Sequence, residues 1–207
     1  MRRIETKAPV FDKIYKDYLK QVAALDVKDK TNLLGIHVDG KTISIPYFNG
    51  VYTITPDHII NPEKHRPSHA VSVILCKYLL LCPEFADQDR QLMTYRDFKD
   101  AAPYVQGFQN TAEKPISNFF SGRIKDLKSR CRDLGGVPHD IGISCDFSIR
   151  FQALPRIPLF LIFNDADEDF PSDTTLLFEK RAARFLDMEC LAMTGMYLAE
   201  QLVQEKS

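Results

Sequence analysis

Two dipeptides, Asp39-Gly40 and Asn49-Gly50, separate short runs of β-prone residues and so constrain the local topology. Both accept the positive φ angles of tight hairpin turns, and the runs around them (Leu33 to Val38, Thr42 to Phe48, Val51 to Thr55) have strand length. The spacing predicts a three-stranded antiparallel meander. Two further Phe- and Ile-rich runs, Ser144 to Leu154 and Ile157 to Asn164, are joined by Pro155-Arg156 and read as a second strand pair.

Helical periodicity surrounds these strands. Val10, Phe11, Ile14, Tyr15, Tyr18, Leu19 and Val22 share one face of a helix over Val10 to Leu25, with Lys13, Lys16, Asp17 and Lys20 opposite. Pro67 and Ser68 open an almost wholly apolar helix through Cys82, which suits the centre of a core. Pro115 starts a helix whose apolar face runs Phe120, Ile124, Leu127, Cys131, Leu134, and Gly135-Gly136 stops it. Asp173 is a suitable cap for helical text continuing to Gln204, with a break near Asp187. Strands and helices in separate blocks predict an α+β fold. The expected architecture is one domain over 1–207, an antiparallel sheet of about five strands backed by helices, with a helical C-terminus.

The chain has 207 residues, of which 44% are hydrophobic, enough for a core without covalent staples. Its formal charge of −1 gives no general field for collecting phosphates, which argues against wholesale nucleic-acid binding. Arg123, Lys125, Lys128, Arg130 and Arg132 read as the solvated side of a helix. Five cysteines are an odd number, and no Cys-x-x-Cys pair occurs, so reduced thiols are expected. Neither a zinc ribbon nor an iron-sulfur cluster held by this chain alone has its usual ligands. Met1 to Lys7 carries charges with no apolar stretch behind them, and the longest apolar runs are too short to span a bilayer. A cytoplasmic protein with no membrane segment is the expectation.

Chemistry concentrates in Asn164-Asp165-Ala166-Asp167-Glu168-Asp169-Phe170-Pro171, four carboxylates in five residues directly after a strand. Asp165, Asp167 and Asp169 match the alternating oxygen ligands of a calcium loop and could hold a divalent cation. Phe170 stands where that loop needs glycine and Leu176 where it needs a closing Glu, so an EF-hand proper is excluded. The competing meaning is a solvated connection, since neighbouring exposed carboxylates repel by only about 1 kcal/mol in water. Glu189 lies among Phe185, Met188, Ala192 and Met196; facing the core it would need a partner and a raised pKa, and otherwise it faces water. His58, His65 and His69 cluster in sequence, but Pro67 separates the last two and no Glu stands as a general base, so capping or surface roles are expected. The common phosphate-loop, dinucleotide and nucleophile-elbow motifs are absent.

The stretch Leu154-Pro155-Arg156-Ile157-Pro158, the acidic turn, Leu177-Phe178-Glu179 and Phe185-Leu186-Asp187-Met188-Glu189 resemble an uncharacterised family of about two hundred residues, found mainly in anaerobic bacteria and archaea. Leu134-Gly135-Gly136 and Met93-Thr94-Tyr95-Arg96-Asp97-Phe98 are similar to it as well. The resemblance is good over the last hundred residues or so and looser before them. It implies a setting in anaerobic redox or corrinoid metabolism, because some relatives carry a four-iron, four-sulfur module that this chain lacks. It also adds weight to the acidic turn and Glu189 without assigning either a role.

Three function classes result. The first is an accessory module that binds a small ligand or a protein partner. The second is a divalent-cation-dependent enzyme with Asp165, Asp167 and Asp169 as ligands and Glu168 or Glu189 as acid/base. The third is a structural subunit whose aromatic middle, Tyr95 to Phe120, packs on another chain or on a second copy.

Overall fold

The computed structural model describes residues 9–204; the charged start, Met1 to Lys7, lies outside the described residues. Helix α1 (Pro9–Ala23) and one turn of helix α2 (Thr31–Leu34) precede β1 (His37–Asp39), β2 (Thr42–Tyr47), β3 (Gly50–Ile54) and β4 (Ile59–Ile60). Helix α3 (His69–Leu80) leads through β5 (Leu92–Thr94) to α4 (Val105–Phe108), a π-helical turn (Gln109–Glu113), α5 (Lys114–Phe120) and α6 (Ile124–Asp133). Strands β6 (Val137–Pro138), β7 (Phe147–Leu154), β8 (Ile157–Asn164) and β9 (Asp173–Glu179) precede the last helix, α7 (Met188–Val203). The fold is α+β, with antiparallel sheets ordered β1-β2-β3-β4 and β5-β9-β8-β7-β6. Among the described residues no helix is long and apolar enough to cross a membrane.

Each principal helix follows from its residues. In α1 the face predicted by periodicity buries Tyr15, Leu19 and Val22, while Val10 and Phe11 at its start are exposed, and the Tyr15 hydroxyl accepts the Ile59 amide at 2.8 Å. Ser68 caps α3 by accepting the Val71 amide. Buried nearly all round, α3 lies centrally, and the Tyr78 hydroxyl donates to the Leu34 carbonyl at 2.6 Å. Asp187 caps α7 by accepting the Cys190 amide at 2.9 Å, as its position after a break suggests.

Four expectations need correction. The meander forms, but its turns sit one residue away from the predicted dipeptides: β2 follows Gly40-Lys41 and β3 follows Phe48-Asn49. Phe48 takes a left-handed φ of 49°, held by its amide bond to the Ala153 carbonyl at 2.9 Å and by ring packing on Tyr47, Phe151 and Tyr197. Residues Thr31–Leu34 form α2, so the first strand starts only at His37. The helix predicted from Pro115 to Leu134 is two helices, broken where Gly122 adopts φ 70° and donates its amide to Asp165 Oδ1 at 2.6 Å. Asp173 opens a strand, not a helix: the alternate residues Thr174, Leu176 and Phe178 are buried, and pairing with β8 outweighs local capping. The strands thus divide between two sheets, with the β7–β8 pair at the middle of the larger one.

The sheets meet where the chain comes closest to itself. Gly35, with φ 69°, ends α2 against the β7–β8 turn; a Cβ there would stand 2.7 Å from Pro155 Cβ. From Ser148 to Ala153 strand β7 alternates, with Ile149, Phe151 and Ala153 buried in the core and Ser148, Arg150 and Gln152 half-buried on the other face. Strand β8 is buried along both faces, yet its outward residues Phe160 and Ile162 do not join the main core. That outer face carries the polar site.

Candidate anion-binding site

On the outer face of the five-stranded sheet, a hollow of about 650 Å³ is lined by four arginines: Arg90, Arg150, Arg156 and Arg181. They come from separate segments, each positioned differently. Arg150 projects from β7 by strand alternation and donates to Gln152 Oε1 two residues on. Arg156 occupies the β7–β8 turn, where its Nε donates to the Leu33 carbonyl at 2.8 Å and a terminal nitrogen to that of Asn32. Arg181 follows β9 and donates from Nε to Glu179 Oε2 at 2.5 Å; the two side chains are 13% and 10% exposed. Arg90 is brought alongside because Lys180 and Arg181 donate their amides to the carbonyls of Gln91 and Asp89. It has no hydrogen-bond or ion-pair partner among the described residues.

Only Glu179 and Asp140 oppose these four cations in the lining, so the hollow carries a local excess of two positive charges in a chain whose total is −1. Phe160 forms part of its floor, with the His139 ring 5.1 Å away between centroids. A second hollow of about 350 Å³ shares Arg90, Arg156 and Arg181 with the first. Guanidinium groups with unspent N–H donors in a concave site suit carboxylate or phosphate, which they bind in paired hydrogen bonds.

The acidic turn is organised by backbone amides, three of its own and one from Gly122. Asp165 Oδ1 accepts the amides of Gly122 at 2.6 Å and Ala166 at 2.9 Å, and Asp167 Oδ1 accepts those of Asp169 and Phe170 at 2.9 and 2.7 Å. Asp146 joins from across the sheet by accepting the Asp165 amide at 2.8 Å. Asp167, Glu168 and Asp169 are exposed, and Asp165 is half-buried. Among the described residues no group of three or more His, Cys, Asp or Glu side chains is gathered as a metal ion would require. Glu189 faces water from the first turn of α7, on the rim of a separate hollow of about 960 Å³. The structure therefore brings neither Glu168 nor Glu189 to the arginine site.

Of the histidines, His58 and His65 are exposed; His69, at the first turn of α3, packs its ring on Phe11 at 4.7 Å, and burial followed by the charge of Arg66 lowers its pKa. All five cysteines are free thiols, and burial raises that of Cys76 to about 12. Glu113, unremarked in the sequence, ends the π-helical turn and accepts the Leu176 amide at 3.1 Å. Burial raises its pKa and the charge of Asp173 adds to the shift, while that amide and Arg96 act against it. No sequence motif marked the arginines, which are scattered; the one available signal was the alternation of Arg150 and Gln152 with Ile149, Phe151 and Ala153.

Two antiparallel sheets, helices and a polar outer sheet face define an α+β protein. The chain belongs to the family described as Domain of unknown function (DUF3786), whose model matches residues 26–201. No curated protein and no solved structure matches it.

Proposed function

We propose that this chain is a binding module that takes a small anionic ligand in the arginine-lined hollow. One observation carries the reading: four arginines from separate segments converge on a single concavity that only two carboxylates oppose. Like charges repel, yet Arg150, Arg156 and Arg181 are held half-buried around the hollow, with Arg90 exposed at its edge. The partial engagement of three of them on carbonyl, amide and carboxylate oxygens fixes their positions while leaving donors free. We place the binding step in the reducing anaerobic metabolism that the resemblance implies, where five free thiols are at home.

Thermal denaturation with inorganic phosphate, sulfate and citrate tests the proposal. An anion at a hundred times its dissociation constant adds about 2.7 kcal/mol, which raises the midpoint by roughly 5–10 °C in a chain of this size. Arg90→Gln removes a cation with no structural partner, so the protein should fold as before while the anion-dependent rise shrinks. An equal rise in the variant, or none in the wild type at low ionic strength, would refute the reading.

A further inference from the structure

The anion-binding reading gives the sign of the ligand's charge, and the strand register adds its length; this inference rests on that reading. Strands β7 and β9 both run antiparallel to β8, hence parallel to each other, and the pairs Arg150–Phe160 and Phe160–Leu177 set them level across it. Two residues further along lie Gln152 on β7, paired with Pro158, and Glu179 on β9, one residue beyond the Leu159–Phe178 pair. These two residues hold the guanidinium groups: Arg150 reaches along its strand to Gln152 Oε1, and Arg181 engages Glu179 Oε2 through Nε alone. Two strand spacings, roughly 10 Å, thus separate the backbones that carry the holders of the two cationic poles. Between them the central strand contributes Phe160 and no charged side chain to the lining. A compact anion such as phosphate cannot touch both poles at once.

We propose that the hollow takes a linear ligand with an anionic group at each end and an apolar middle. One end sits at Arg181, reinforced by Arg90 and Arg156, the other at Arg150, and the middle lies over Phe160. Simultaneous engagement of two poles by one molecule raises the effective concentration of its second end, so affinity depends steeply on length.

Calorimetric titration of the full chain with succinate, adipate, suberate, sebacate and dodecanedioate tests this, with octanoate and inorganic phosphate as one-ended controls. Affinity should peak at suberate to sebacate, roughly tenfold or more above succinate and octanoate. Arg150→Gln should reduce suberate to the affinity of octanoate, and Arg150→Lys should keep the optimum, which guards against a variant that merely unfolds. Binding with a flat length profile would overturn the two-pole ligand and leave the anion reading standing. Absence of binding by every anion, or binding unchanged in Arg90→Gln, would overturn both.

Discussion

Replacing Arg181 by Met strips the cation from Glu179, a carboxylate whose side chain is only 10% exposed and whose Oε2 has the Arg181 Nε at 2.5 Å. Breaking a buried pair by removing one partner costs about 3–5 kcal/mol, because the remaining charge is left uncompensated. Here the lower end applies, about 3 kcal/mol, since the pair borders an open hollow with other arginines near it. Glu179→Gln, which orphans the cation instead, should cost less, because Arg181 can swing its terminal nitrogens toward solvent. In the double variant Glu179→Gln/Arg181→Met neither charge is left behind, and stability should return to within about 1 kcal/mol of the wild type. Urea denaturation of the four proteins gives the free energies directly, provided the slopes agree. At about 2–4 °C per kcal/mol, Arg181→Met should also melt some 6–12 °C lower. Strictly additive losses in the double variant would show that the two groups are not coupled and refute the reasoning.

Tyr15→Phe removes the acceptor of the Ile59 amide and leaves a buried N–H without a partner, costing about 1–3 kcal/mol; a loss near zero in urea denaturation would mean that water replaces the hydroxyl. Because the folded-state pKa of Glu113 is raised, its stabilising contribution is complete below the unfolded value and disappears as pH rises through the folded one. Glu113→Gln should therefore match the wild type near about pH 4 and melt higher than it near about pH 7, and a difference independent of pH would contradict the assignment. For the acidic turn, Asp165→Asn with Asp167→Asn keeps oxygen acceptors for the backbone amides, so calcium or magnesium should shift the melting points of variant and wild type equally. A cation-dependent rise confined to the wild type would establish a metal site there.

The sequence was most informative where side-chain period and buried face coincide. The apolar stripe of α1, the all-round apolar α3 and the β7–β8 pair around Pro155-Arg156 were all legible in this way. It misled where tertiary partners overrule local chemistry. Asp173 has the composition of a helix cap but stands opposite Asn164, and the pull of β8 extends the chain. Phe48 takes the strained turn position although glycine stands two residues later, because aromatic packing and the Ala153 carbonyl anchor it. For the dense carboxylates of 165–169, the composition carried no sign that Asp165 and Asp167 accept neighbouring backbone amides. Arg90, Arg150, Arg156 and Arg181 have the opposite character: dispersed in the text and collected only by register and turn geometry.

The close approach of Gly35 to Pro155, together with the bond from the Phe48 amide to the Ala153 carbonyl, has a consequence for biogenesis. The smaller sheet is encoded first, yet its seating surface lies more than a hundred residues downstream. During vectorial synthesis the part of the meander that seats on the β7–β8 hairpin must wait, uncovered, until the hairpin emerges from the ribosome. Maturation of the N-terminal half is thereby timed by the C-terminal half, and a chain truncated before residue 153 would expose a surface for chaperones to shield.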